Sequence, residues 1–270
     1  MDNLGIWEKI SAILEDYCES VNGELDERWR NWKLDLSKLE MYEVITSLLA
    51  RQVTLVTQLA NSPSIWNRHV APIILRTMVD THINLAWILK DSLDRSRKFI
   101  LYGLGQEKLY LEHIKAKSKT GTNDHRIRSI EDWINSQHIS VFTEVNLGSW
   151  SELSTRDMAE DADCLEIYRM AYQPFSSVAH SMWNHVCKYN LKKCENPLHR
   201  YHRVPINPSL PPDIDFFYSA AKYTDITFML FDRNFNLKLE KPSSFRKFIN
   251  SMNSLDEYVQ KEIEKFKSST

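Results

Sequence analysis

IWNRHVAPIILRTMVDTHINLAWILK, residues 65–90, is the stretch whose reading decides the fold. From Ile73 onward it is apolar on nearly all sides, the composition of a helix buried inside a bundle rather than one lying on its surface. The break NSPS ahead of it, residues 61–64, supplies the Ser and Pro that suit a helix start.

Its neighbours repeat the helical period. Residues 3–20 place Leu4, Trp7, Ile10, Leu14 and Tyr17 at spacings of three and four. Residues 40–61 carry Tyr42, Ile45, Leu48, Leu49, Val53, Leu55 and Val56 in the same rhythm. Asp91 or Ser92 caps a helix over about 92–118, and SKTGTNDHR is a polar turn after it. Short helices follow near 125–137 and 151–160, with an irregular stretch between them. The segment 163–193 is helical in pattern, residues 196–212 hold five Pro and read as a long loop, and helices close the chain over 213–232 and 243–267. Six Gly in 270 residues is low, and no Gly-rich phosphate loop or dinucleotide fingerprint is present. The expected fold is therefore all-α, a multi-helix bundle with a central buried helix and a long Pro-rich loop. Its expected division is an N-terminal helical appendage (1–39), a helical core carrying the candidate site (40–195), and the loop with C-terminal helices packed on that core (196–270), one domain overall.

The chain is 43% hydrophobic and 26% charged, with a formal net charge of −2. That balance gives no general attraction to nucleic acid or anionic membrane, though it leaves room for a local basic patch. MDNLGIWEKI lacks the basic and apolar regions of a secretory signal. The apolar stretches are interrupted before the ~20 residues that span a bilayer. Four Cys do not form a disulfide framework. No membrane contact and a cytoplasmic location are expected.

Two charged residues interrupt the buried helix. At ~100° per residue from Arg76, Asp80 lies at about 40°, Asn84 at about 80°, Thr77 at about 100° and Thr81 at about 140°. Leu75, Met78, Leu85, Ala86 and Leu89 fill the opposite side. An Arg76–Asp80 pair at i,i+4 that neutralises itself is one account. A polar site facing another helix is the other.

That other helix is legible in YRMAYQPFSSVAH, residues 168–180, where Tyr168, Tyr172, Ser176 and His180 recur every fourth position. They drift by about 40° per step and share a stripe if the helix is continuous. Pro174 removes one helical hydrogen bond and so kinks the helix or starts a new one. The stripe is either a set of hydrogen-bonded core residues or one wall of a site.

Weaker signals lie elsewhere. Cys187-x6-Cys194-x4-His199-x2-His202 has zinc-ligand types at spacings outside those usual for structural fingers, so neither metal nor cofactor is expected. HRYHRVP, residues 199–205, is basic and aromatic, either a nucleic-acid contact or a solvated loop. No Cys sits among groups that would activate a thiolate.

The segments LRTMVDTHINLAWILKDSLDRSRKFILYG and GSWSELSTRDMAEDA, followed by Tyr-x3-Tyr-x3-Ser-x3-His, resemble a widespread prokaryotic all-helical family of unknown function over roughly residues 40–195. Its members carry Arg-x3-Glu on one helix and Tyr…Ser…His on a later one. Arg76 matches the Arg, Asp80 stands where Glu is usual, and Tyr172, Ser176 and His180 match the later signature. A looser resemblance joins Arg76-x5-His82 to the Arg-x4–6-His motif of HEPN-type ribonucleases, helical proteins that cleave RNA without metal across a dimer and serve in defence or as toxins. On a regular helix His82 falls about 240° from Arg76, on the apolar side, which favours His180 as its partner.

Together these imply a metal-independent ribonuclease or nucleotide-directed phosphodiesterase acting as a prokaryotic defence effector. Arg76, His180 and Asp80 form the catalytic set, and Tyr172, Ser176, His82 and Tyr168 the substrate-binding set. The implied partners are RNA or a nucleotide, a second copy of the chain, or a defence-system protein. The alternative is a non-catalytic helical scaffold or regulatory subunit of a defence or toxin–antitoxin complex.

Overall fold

The computed structural model describes residues 3–118, 124–137, 139, 145, 148–238 and 242–268, with side chains omitted for 3–4 and 265–268. The turn expected after residue 118 and the irregular stretch near 138–150 lie largely outside the described residues. The fold is all-α, a multi-helix bundle with one two-stranded hairpin.

The helices are α1 (Asn3–Asn31), α2 (Leu39–Ala60), α3 (Ala71–Lys90), α4 (Ser92–Lys117), α5 (His125–Ser136), α6 (Thr155–Asp161), the single turn α7 (Leu165–Ile167), α8 (Gln173–Ala179), α9 (Trp183–Tyr189), α10 (Asp215–Phe235) and α11 (Ser244–Ser268). A π turn, Tyr168–Tyr172, joins α7 to α8. Strands β1 (Leu191–Lys193) and β2 (Arg203–Pro205) pair antiparallel; β2 lies inside the region expected as loop, while β1 takes the last residues of the segment expected as helical.

The chain forms two compact units. The first comprises residues 1–33, 48–82 and 166–270. Aromatic rings fill its core: Tyr17 of α1 meets Phe217 of α10 edge-on at 5.2 Å, Phe217 meets Phe248 of α11 at 5.1 Å, and Trp66 stacks on Phe217 at 5.5 Å. The Trp66 indole N–H donates to the Leu59 carbonyl at 2.8 Å, so this large side chain is buried with its one donor satisfied.

Helix α1 runs eleven residues beyond the expected 3–20. Its C-terminal half buries Arg28 rather than a Leu or Ile, which hides it from a hydrophobic-period reading. Arg28 forks onto Asp232 of α10 (Nε–Oδ1 2.9 Å, Nη2–Oδ2 2.7 Å), donates to the Glu24 carbonyl at 3.0 Å, and lies 4.0 Å over the Phe228 ring. Glu24 in turn accepts from the Ser244 backbone N–H. These polar groups replace apolar contacts along the inner stripe, and Trp32 resumes it against Phe231.

The second unit comprises residues 34–47 and 83–165. Leu111 of α4 packs with Ile127 and Ile134 of α5, and Ile114 and Ile130 flank them. Trp150 sets its ring edge-on to Trp87 and Phe99, at 5.2 and 4.9 Å. A capping box opens α6: Ser154 accepts from the Asp157 N–H while the Asp157 carboxylate accepts from the Ser154 N–H.

Candidate functional site

Arg76 and Asp80 sit on successive turns of α3, and their side chains meet at 3.4 Å. The Arg76 guanidinium also lies over the ring of Tyr172, 4.0 Å from its centroid, and donates through Nη2 to the Tyr172 hydroxyl. One side chain therefore carries a cation–π contact, a hydrogen bond and an ion pair together. Its Nε–H is buried without a partner. An unpaired buried N–H costs about 1–3 kcal/mol, so the guanidinium is held with its hydrogen-bonding capacity unfilled. Thr77 and Thr81, which share this sector, return their hydroxyl protons to the carbonyls of Ile73 and Thr77 within α3.

Tyr172 owes its position to the irregular backbone before it. Pro174 has no N–H and crowds the preceding turn, so a regular helix through it is disfavoured. The chain widens instead into a π turn, closed by the Gln173 N–H on the Tyr168 carbonyl. Tyr168 and Tyr172 then stack, with centroids 4.8 Å apart and planes 21° from parallel. The expected break at Pro174 is thus a widened turn that leaves Tyr172 on Arg76.

Ser176 turns inward on its own helix, donating to the Tyr172 carbonyl at 2.7 Å. His180 is the exposed residue that caps the C-terminus of α8, where its N–H meets the carbonyls of Ser176 and Val178 before Ser181 turns left-handed at φ 50°. Burial pushes the Asp80 carboxyl above the usual carboxylate range, and the charges of Arg76 and His180 pull it back. Arg76, Asp80, Tyr168 and Tyr172 are thus joined by contacts, and His180 acts on Asp80 through space.

His82 is held differently. It is 7% exposed, and its Nδ1 lies 3.0 Å from the Thr227 hydroxyl of α10. Thr227 gives its proton to the Tyr223 carbonyl at 2.6 Å and accepts from the Gln52 amide at 3.1 Å. With that proton spent, Nδ1 is the donor, which fixes the His82 tautomer. Burial lowers the pKa of His82 to about 4, keeping the ring neutral. These contacts tie α2, α3 and α10 together, and Arg76 is not among them.

Two groupings escaped the sequence reading. His69 and His185 meet edge-on at 5.4 Å, and Tyr189 lies 5.7 and 5.0 Å from them. Arg68 donates to the Tyr189 hydroxyl at 3.0 Å. Burial would raise the Tyr189 phenol, but Arg68 and Lys188 outweigh it and hold it below its ordinary value. Burial and the neighbouring His69 both lower His185, and His69 Nε2 is buried without a partner. The two histidines stand more than a hundred residues apart in sequence, so no spacing links them. The other grouping is a cavity of about 670 Å³ lined by Glu24, Glu27, Arg28, Asp225, Asp232 and Lys247 among others.

A family model matches residues 42–197, more than half of the chain. The chain belongs to DUF5677, a family of unknown function. The DUF5677 match contains Arg76, Asp80, Tyr172, Ser176 and His180, and also the His69–His185 grouping, and it ends inside the loop of the β1–β2 hairpin. No curated protein and no solved structure matches the chain. Among the described residues, no helix is long and apolar enough to cross a membrane.

Proposed function

We propose that this chain is a phosphodiester-directed enzyme acting on RNA or a nucleotide, with Arg76 and His180 as its chemical groups. The observation that carries the reading is the state of Arg76: a guanidinium held over the Tyr172 ring, paired with Asp80, and with its Nε–H unpaired. A planar fork of donors fixed in place suits the oxygens of a phosphoryl group and the charge that grows on them. His180, exposed beside Asp80, is the base. It takes the 2′-OH proton as the O2′–P bond forms. The P–O5′ bond breaks, the leaving oxygen takes a proton from water, and the products carry 2′,3′-cyclic phosphate and 5′-hydroxyl ends. Asp80 orients Arg76 and the imidazole, and Tyr172 and Tyr168 offer a stacking surface for a base. This is the chemistry of HEPN-type ribonucleases with His180 in the role of the motif histidine. Service as a prokaryotic defence effector, working as a homodimer or with a partner protein, belongs to the same proposal.

A second placement of this chemistry rests on the paired histidines. His69 and His185 offer an acid and a base side by side, Arg68 offers the cation, and the orphan His69 Nε2 supplies an unused donor or acceptor.

Incubating the purified chain with structured and single-stranded RNA, with analysis of the ends produced, tests both placements. His180→Ala is expected to cost about 10²–10⁴-fold in rate and Arg76→Ala about 10²–10³-fold, with far-UV circular dichroism unchanged. Arg76→Lys keeps the charge but loses the fork and covers the case in which the alanine variant unfolds. Loss confined to His69→Ala and His185→Ala moves the chemistry to the second placement. Wild-type protein that cleaves no RNA, or folded His180→Ala and Arg76→Lys variants at full rate, overturns the first. Variants of Arg76 and His180 that only unfold would assign these residues to a structural scaffold.

A further inference from the structure

The hairpin of β1 and β2 holds a cluster that the phosphodiester reading does not use. Lys193 pairs with Arg203, and the Cys194 N–H continues the ladder onto the His202 carbonyl at 3.0 Å. Between them the His199 N–H bonds the Asn196 carbonyl at 3.0 Å, and the His202 N–H bonds the His199 carbonyl at 3.1 Å. Two consecutive turns, 196–199 and 199–202, each closed by one i→i+3 bond, carry side chains 199 and 202. Their rings lie 5.4 Å apart, and the Cys194 thiol sits 3.7 Å from His199 Nδ1. One ligand atom from each of the three residues falls within 4.8 Å of the others. The Asn196 side-chain oxygen accepts from the Leu198 N–H at 3.0 Å and so holds the turn that leads into His199.

We propose that Cys194, His199 and His202 bind a zinc ion. Tetrahedral zinc with bonds of ~2.3 Å to sulfur and ~2.05 Å to nitrogen has an S–N edge of about 3.6 Å and an N–N edge of about 3.4 Å. The Cys194–His199 edge already has that length, and the remaining edges close by rotation of exposed side chains. One thiolate and two imidazoles form a borderline-soft set suited to zinc. Three protein ligands leave the fourth position to water. The thiol proton passes to solvent as the metal binds, so affinity falls with acid.

The hairpin supplies the second argument. Its strands have three residues each, a length marginal in water without a packed face. Residues 195–203 are exposed throughout, with Leu198 at 89% and Tyr201 at 85%. The turns of this exposed loop rest on hydrogen bonds open to water, and a metal clip across its three ligands would close it more firmly.

The test uses the full chain, stripped with chelator and titrated with Zn²⁺ alone by calorimetry, then with Co²⁺ as a spectroscopic substitute. One ion per chain is expected. The Co²⁺ form should show a thiolate charge-transfer band and visible bands of tetrahedral strength, and amide exchange over 191–205 should slow. Cys194→Ser should abolish the charge-transfer band. His199→Ala and His202→Ala should each weaken zinc by at least about tenfold, the lower bound set by outer-shell losses. Cys187→Ser should change nothing. Absence of stoichiometric zinc binding, wild-type affinity in Cys194→Ser and His202→Ala, or loss of binding in Cys187→Ser would each overturn the assignment. His199 and His202 are exposed and Cys194 is partly so at the end of β1, so circular dichroism should be unchanged in every variant.

Discussion

Replacing Arg28 by alanine removes the cation that two half-hidden carboxylates share. The Glu24 and Asp232 side chains are 13% and 19% exposed, and Arg28 is 5% exposed. Removing one partner of a buried pair costs about 3–5 kcal/mol. The residual exposure of the carboxylates argues for the lower end, about 3 kcal/mol. The pH dependence identifies the cause. Burial raises both carboxyls, and Arg28 opposes that rise at each. Without Arg28 they rise further. An acid raised in the native state binds more protons there than when unfolded, so stability falls as pH climbs from its unfolded value of about 4 through its folded value. The deficit of Arg28→Ala should therefore be larger at pH 7 than at pH 5, measured by urea unfolding followed by circular dichroism. Other titrating groups cancel in the difference between wild type and variant. Adding Asp232→Ala removes a stranded charge, so the double variant should lose less than the sum of the singles. A deficit below about 1 kcal/mol, or one equal at both pH values, refutes a charge-compensating role for Arg28.

His82 carries the opposite pH signature. Its native pKa of about 4 lies below the unfolded value of about 6.5. Its contribution is therefore complete above pH 6.5 and lost as pH falls toward 4, by at most about 3 kcal/mol; His82→Gln should flatten that part of the stability–pH curve. Trp66→Ala should cost about 3–5 kcal/mol in urea unfolding, since it vacates a fully buried site and removes the indole bond to the Leu59 carbonyl, which keeps only the Ser62 N–H. Tyr172→Phe keeps the ring beneath Arg76 but loses its hydroxyl acceptor, for about 0.5–1.5 kcal/mol, and Tyr172→Ala should cost clearly more because the cation–π contact goes as well.

The parts of the fold legible in the sequence are those where one physical signal acts alone. Helix α3 is apolar over most of its circumference, and Ile83, Leu85, Trp87 and Ile88 are buried as that pattern requires. The Arg76–Asp80 contact follows from helix geometry. Where polar groups take over a buried stripe, as at Glu24 and Arg28, the period disappears although the helix continues. The His69–His185 pair was out of reach for another reason: tertiary packing alone brings the two rings together. The hairpin strands are too short to alternate detectably: β1 continues the helical segment before it, and β2 sits in the Pro-rich stretch that reads as loop.

The segment 168–181 shows why the site could be suspected from sequence but not drawn. A four-residue rhythm implies a stripe only on a regular helix. Three irregularities intervene here: the π turn, Pro174 at the start of α8, and the left-handed Ser181 directly after His180. Each redirects a side chain. The π turn stacks Tyr168 on Tyr172, the helical turn after Pro174 returns the Ser176 hydroxyl to the backbone, and the helix end leaves His180 in solvent. A stripe of four equivalent residues thereby becomes three different roles: an aromatic platform under Arg76, a backbone brace, and a free imidazole beside Asp80. Backbone departures of this kind cost energy and tend to gather where chemistry needs them. Pro174 accounts for the widened turn and the left-handed Ser181 for the end of the helical path, so the placement of Tyr172, Ser176 and His180 follows from the breaks in the helix and not from its four-residue period.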